Sequence, residues 1–174
     1  MSSFEGVGII AFSFGQRAKE PSVINRKLAG IVKRIAAELA WNSTRWFAAA
    51  QWEVALQMEA DGPVADCTIG LPKGEDYIDT QYVLSQGLAF LRERGVSKVI
   101  LVAHPLHLFV IKLFIKLGLW NTDGFTFIDY PMGSVGFDSS KENTQWWTRS
   151  WWQFLTYLVA MTLKLKRRGD RAKA

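Results

Sequence analysis

The feature that most constrains the fold is an alternation of short, continuous apolar runs with longer segments whose apolar residues recur every three or four positions. Residues 6–13 and 98–103 are the clearest apolar runs, and their unbroken hydrophobicity is typical of buried parallel strands. Residues 24–39 carry apolar side chains at helical spacing. Alternating strands and helices predict an α/β protein, a Rossmann-like three-layer sandwich with a mostly parallel central sheet.

Local signals refine the helix boundaries. Ser22 is a predicted N-cap, and the helix that follows it is expected to end near Trp41. Residues 106–117 predict a helix that is apolar nearly all round, with Lys112 and Lys116 on its one exposed strip. Further strands are predicted at 45–50 (where a helix is the alternative), 67–71 and 124–130, further helices at 51–58 and 77–94, and a loop rich in Gly and Ser at 131–143.

The last predicted helix, residues 144–166, is unusually aromatic. We assign its main stripe to the protein core, because such a stripe at helical spacing is more often core than a cofactor site. Tryptophans also occupy the other side, which favours a second interpretation in which one side faces a partner or a membrane surface. The stripe consists of Trp147, Trp151, Phe154, Leu158, Met161 and Leu165, with Trp146 and Trp152 beside it.

The length of 174 residues suits a single hydrophobic core, so we assign residues 1–166 to one domain and 167–174 to a basic tail. A lone cysteine, Cys67, excludes a disulfide framework, and one cysteine with two histidines excludes a Cys₂His₂ zinc site. No metal site is predicted, although one that uses carboxylates is left open. Cys67 falls inside a predicted strand and is interpreted as a small buried hydrophobic residue.

The formal net charge of +5 comes from the C-terminal end. Residues 164–173 hold six basic side chains and one acidic side chain, which equals the whole excess. This run is either a solvated helix end or a contact for anionic lipid or nucleic acid, and its confinement to one tail argues against specific nucleic-acid binding. No apolar run reaches the length of a bilayer crossing and the first residues lack a basic leader region, so we expect a reducing, cytoplasmic environment.

Polar side chains follow each predicted strand. Ligands of open parallel sheets bind outside the carboxyl ends of the strands, so these side chains are the candidate site. After the successive strands come Ser13, Gly15 and Arg17, then Gln51 and Glu53, then Lys73, then His104 and His107, and finally Asp129.

The sequence HPLH is the sharpest local signal, because both histidines of the chain lie within it, directly after the clearest strand. His107 is predicted in the first helical turn, where the helix dipole disfavours an imidazolium and leaves a neutral ring that can accept a proton or bind a metal. His104 is biased towards an extended conformation by Pro105. The alternative is that both are loop histidines packed on the sheet edge.

Other candidates have equally plain alternatives. Arg17, after a first loop that lacks a full glycine motif, is suited to bind a phosphate or carboxylate, or is a surface residue. Glu53 is either a base or hydroxyl ligand, or a solvated helix residue. A Ser13–His107–Asp129 arrangement for nucleophilic catalysis is left open.

The chain over residues 5–118 resembles the YdcF-like family. The resemblance consists of an N-terminal apolar strand, the acidic segment QWEVALQM and the long segment that begins DTQYVLSQG and contains HPLH. It matches His107, Glu53 and Thr80 to the histidine, acid and helix threonine of that family. Val110 stands where the family usually has arginine, and the glycine-rich first loop is reduced to Ser13, Phe14 and Gly15. The resemblance implies a Rossmann-like fold and a pocket for a nucleotide-type ligand, with S-adenosylmethionine a candidate cofactor, but no established reaction.

The leading hypothesis is therefore a small-molecule-binding α/β protein, a hydrolase or transferase if it is an enzyme. In it His107 is a general base or polar anchor, Glu53 holds a hydroxyl or water, and Arg17 holds an anionic group. The remaining ligand contacts are assigned to Ser13, Gly15, Thr80, His104 and Asp129. The alternative hypothesis is a protein that docks on a membrane surface or a partner through its Trp-rich C-terminal helix and basic tail.

Overall fold

A five-stranded parallel sheet forms the centre of the computed structural model, which describes residues 6–15, 21–62, 64–73 and 78–159. The strands run in the order β3-β2-β1-β4-β5, and all four neighbouring pairs are parallel. The chain thus adds β2 and then β3 on one side of β1, and then β4 and β5 on its other side. The strand bounds are Val7–Ala11 (β1), Trp46–Gln51 (β2), Cys67–Ile69 (β3), Lys98–Val102 (β4) and Thr126–Ile128 (β5).

Helices cover both faces of the sheet, because successive side chains of a strand point to opposite faces. Ile9 and Ala11 of β1 belong to a cluster with the first two helices, whereas Ile10 and Phe12 belong to a cluster with the next two. The predicted three-layer Rossmann-like sandwich is confirmed. The helices are α1 (Val23–Trp41), α2 (Trp52–Asp61), α3 (Thr80–Glu93) and α4 (Pro105–Lys116).

The helix starts follow from side-chain caps. Ser22 caps α1 as predicted, since its hydroxyl accepts from the Asn25 backbone N–H at 3.2 Å. The helix predicted at 77–94 begins at Thr80, because Asp79 accepts from the Tyr82 N–H at 2.7 Å and is the N-cap.

Helix α3 lies unusually close to β1. A Cβ atom added to Gly87 would lie 2.8 Å from Cδ1 of Ile10, and one added to Gly8 would collide with the side chain of Leu91. Only glycine permits this approach at the two positions. Because α3 follows the carboxyl end of β3, its first residue, Thr80, lies at the carboxyl edge of the sheet.

The surface of α4 differs from the prediction. Lys112 is half-buried rather than part of a single exposed strip, while Phe109 and Leu113 are exposed, Phe109 at 65%. Ile111 is the buried residue of this helix. The helix lies beside the short edge strand β5, where less structure covers its apolar side chains. Among the described residues, none of the helices is both long and apolar enough to cross a membrane.

The C-terminal segment is interrupted, so the continuous helix predicted from residue 144 is wrong. A single 3₁₀ turn, Trp146–Thr148, precedes a helix over residues 151–159, here called α5, and residues beyond 159 lie outside the described part. The break follows from polar competition, since Asn143 accepts from the Gln145 N–H and Arg149 donates to the Asn143 carbonyl. The stripe is also partly wrong, because Phe154 is buried but Trp151 is 44% exposed.

Candidate functional site

The candidate site lies where β1 and β4 separate at the carboxyl edge of the sheet. After β1 the chain leaves towards α1, and after β4 it leaves towards α4 on the other face. Such a switch point opens a crevice, and ligands of open α/β sheets bind there. The segment 12–15 follows β1, His104 follows β4, and Glu53 lies two residues beyond the end of the neighbouring strand β2.

His104 caps α4 and has a defined tautomer. Its Nδ1 accepts from the Leu106 N–H at 3.3 Å, so the neutral ring carries its proton on Nε2. Nε2 is buried and makes no hydrogen bond of good geometry with the described residues, although the backbone at Gly136 and Val135 lies close enough to favour its protonation. The ring stacks on Phe14 with centroids 4.1 Å apart. Burial lowers the pKa of His104 to about 4, against a weaker opposing effect of the backbone at Gly136 and Val135.

His107 meets Thr80, the pair that the family resemblance matched. Nε2 of His107 and Oγ1 of Thr80 share a 2.8 Å hydrogen bond, although the residues are 27 positions apart. Nδ1 of His107 is buried and lacks a partner within the described ranges. Burial, and secondarily the nearby His104, lowers the pKa of His107 to about 4. The neutral ring was expected, but burial rather than the helix dipole is its main cause.

Glu53 is buried, so the alternative of a solvated helix residue is wrong. It is 4% exposed, and Oε2 has no partner in the described part of the chain. Burial raises the pKa of Glu53, while its own backbone N–H and the side chains of Ser13 and Gln51 oppose that rise. Gln51 in turn accepts from the Ser13 N–H at 3.0 Å. The ends of β1 and β2 thus form one polar cluster.

The first loop is fixed by Asn25, which the sequence analysis missed. The Asn25 side chain accepts from the Phe14 N–H at 2.8 Å and donates to the Gly15 carbonyl at 3.0 Å. Gly15 has a φ of +81° and lies against Asn143 and Thr148. These contacts fix the conformation of the loop, and the assignment of Gly15 as a ligand contact stays a prediction. The available signal was Asn25 itself, a polar residue in the first turn of an otherwise apolar helix face.

The segment between β5 and α5 covers this edge, a role that its loop-like composition did not reveal. The ring centroids of Phe137 and His104 are 4.7 Å apart, and those of Phe154 and Phe14 are 5.7 Å apart. Met132 and Val135 are buried against the same core. The sequence feature that indicates this role is the presence of three apolar residues, Met132, Val135 and Phe137, in a segment otherwise rich in Gly and Ser.

Other predicted residues lie elsewhere. Asp129 has an 83% exposed side chain and pairs with Lys112. Its assignment as a ligand contact and the Ser13–His107–Asp129 arrangement stay predictions. Cys67 is only partly buried, and burial raises its pKa. Lys73 is exposed. Arg17 and the basic tail lie outside the described residues.

The chemistry of the cluster is that of buried hydrogen-bonding groups. It combines two imidazoles of lowered pKa, a hydroxyl and a carboxyl of raised pKa. No three His, Cys, Asp or Glu residues within the described ranges are grouped so that they could hold a metal. Comparison with protein-family models, curated proteins and solved structures gives no match for this chain.

Proposed function

We propose that this edge binds a small molecule through Glu53, His104 and His107, and that the protein is a small-molecule-binding α/β protein. The observation that carries the proposal is that Glu53 and His107 each keep a buried polar atom without a partner among the described residues. Each such atom costs about 1–3 kcal/mol. Two of them at a sheet switch point, beside a His104 Nε2–H that meets only the nearby backbone of Gly136 and Val135, are best explained by a ligand that supplies the missing hydrogen bonds.

The unpartnered atoms define the ligand chemistry. Oε2 of Glu53 requires a donor, Nε2–H of His104 lacks an acceptor of good geometry, and the imidazoles are packed against the buried rings of Phe12 and Phe14. A flat heterocycle with adjacent donors and acceptors meets these requirements. We therefore propose a nucleotide-type ligand, with S-adenosylmethionine, suggested by the YdcF-like resemblance, as one member of the class. An anionic group on it would depend on Arg17.

The same groups suit proton transfer. Glu53 and the neutral His107 each accept a proton from a water or hydroxyl, and Thr80 fixes the orientation of the His107 ring. A hydrolase or transferase reaction in the cytoplasm is therefore the proposed enzymatic role.

A thermal-shift screen tests the binding proposal. Adenosine, S-adenosylmethionine, nucleotides and sugar phosphates are screened, and a ligand at 100 times its Kd should add about 2.7 kcal/mol to the free energy of unfolding. Glu53→Gln should weaken that ligand about tenfold or more, because the amide can place an N–H donor where the ligand meets a carboxyl oxygen. Glu59→Gln, an exposed change on the same helix, should not. Equal affinity in both folded variants, or no stabilising ligand in the screen, would contradict the proposal.

A second candidate, docking on an anionic membrane surface, is favoured by the exposed side of α5. Trp152 is 74% exposed and Val159 is 60% exposed. Interfacial helices present such aromatic side chains to lipid headgroups.

Vesicle sedimentation tests this second candidate. Trp152→Ser should reduce binding to vesicles that contain phosphatidylserine by about tenfold, since a large apolar side chain is lost from the interface. Trp41→Ser is the matched control, because Trp41 is 89% exposed at the end of α1. An equal effect of the two changes, or no vesicle binding by the unmodified chain, would exclude the docking role.

A further inference from the structure

A basic cleft separates the outer face of α1 from the loop at 131–135. Its volume is about 290 Å³, and Lys27, Gly30 and Arg34 line one side while Gly133 and Ser134 line the other. We propose that this cleft binds a phosphate group, either as inorganic phosphate or as a small phosphomonoester. The proposal is independent of the ligand proposed for Glu53 and His107.

The helix geometry concentrates positive charge in the cleft. Lys27 and Arg34 are seven residues apart, which is two helical turns, so they lie on the same face of α1. Gly30 lies between them, and a Cβ atom there would meet no other atom within 4 Å. The absence of a side chain at this position therefore keeps the space between the two cations open. The described lining contains no acidic residue.

Arg34 is held in place before any ligand binds. Its Nε donates to the Tyr130 hydroxyl at 3.2 Å, and one Nη donates to the Pro131 carbonyl at 3.4 Å. The Tyr130 hydroxyl donates in turn to Glu38 at 2.7 Å. Glu38 is thus the nearest acid of this network, and its carboxylate is engaged by Tyr130. A guanidinium has five N–H donors, so most of those of Arg34 are left for an anion.

The opposite wall can supply neutral donors. Gly133 has a φ of +67°, a left-handed conformation that turns the loop, and Ser134 beside it is exposed. A hydroxyl, loop amides, an ammonium and a guanidinium together match the acceptors of a phosphate group.

The volume of the cleft suits a small ligand. That volume, about 290 Å³, lies at the lower end of the range of ligand pockets, which begins at about 300 Å³, and is sufficient for a phosphate or a small phosphomonoester.

Calorimetric titration of the full chain tests the proposal, with inorganic phosphate and glycerol phosphate as separate probes. Lys27→Gln should weaken binding about tenfold, and Lys27→Gln with Arg34→Gln should abolish it. Gly30→Leu should also abolish binding, because it fills the cleft without changing the charge. Tighter binding of glycerol phosphate would assign the site to phosphomonoesters, and equal binding would assign it to the phosphate group alone.

Two controls make the result decisive. Lys33→Gln removes the same charge from α1, but the Lys33 side chain lies beside Gly62, the residue after α2, so affinity should change less than about twofold. Glu53→Gln should leave phosphate binding unchanged, which separates this site from the proposed ligand site. Absence of phosphate binding, equal losses in Lys27→Gln and Lys33→Gln, or unaltered binding by Gly30→Leu would each overturn the proposal.

Discussion

Replacement of Phe14 by alanine is expected to lower the free energy of unfolding by about 3–5 kcal/mol. Phe14 is 3% exposed and joins three parts of the molecule, since its ring stacks on His104 and contacts Phe137 and Phe154. Truncation would leave a cavity beneath residues 129–150, the covering segment between β5 and α5. The loop at 12–15 is fixed there and cannot collapse to fill that cavity. Urea denaturation of the variant measures the loss.

Phe109→Ala is the matched control for this effect. Phe109 is 65% exposed on α4, so the same truncation there should cost less than about 0.5 kcal/mol. A loss at Phe14 below about 1 kcal/mol, or one no larger than that at Phe109, would show that the Phe14–His104 stack does not hold the covering segment. Any ligand of the Glu53 site should also bind the Phe14 variant more weakly, because the His104 ring loses its support.

The elements that sequence could locate are those with a local physical signature. The apolar runs of β1 and β4 and the cap at Ser22 are encoded by consecutive residues, and each was confirmed. The position of His104 and His107 at the carboxyl edge followed from the strand before them. Burial of Glu53 did not follow, because it depends on Ser13 and Gln51 at the ends of two strands, a contact that no local pattern encodes.

The covering segment and the surface of α4 show what apolar periodicity does not predict, namely which residues are buried. Met132, Val135 and Phe137 have no helical or strand period, so their common burial is decided by the crevice that they cover. Phe109 and Leu113 have a helical period, yet they are exposed because α4 lies beside the edge strand β5. Apolar periodicity predicts an element, but the neighbours of that element decide which of its faces are buried.

Acidification is expected to destabilise the protein between pH 7 and pH 4. The pKa values of His104 and His107 are about 4 in the folded chain, below the ordinary value of 6.5. Between these values the unfolded chain binds more protons, so the free energy of unfolding falls as the pH falls from 6.5 towards 4. The loss should approach about 3 kcal/mol for each imidazole at pH 4, with little further loss from these groups below it.

Two variants should isolate the imidazoles. His104→Asn retains a side chain that can cap α4, and His107→Gln retains a partner for Thr80, while neither new side chain titrates. The double variant should therefore show a flatter dependence of the urea midpoint on pH between 6.5 and 4. A dependence as steep as that of the unmodified chain would assign the acid sensitivity to other groups.

Protonation of Glu53 should change the free energy of unfolding in the opposite direction to protonation of the two histidines. Its pKa is raised in the folded chain, so above the ordinary carboxyl value of 4.5 the folded state holds the extra proton and gains stability as the pH falls. Glu53→Gln removes this compensation, and the loss of stability towards pH 5 should then be steeper than in the unmodified chain. A shallower slope in Glu53→Gln would mean that Glu53 is ionised and paired, and a hydrogen-bond donor for Oε2 would then no longer be required of the ligand.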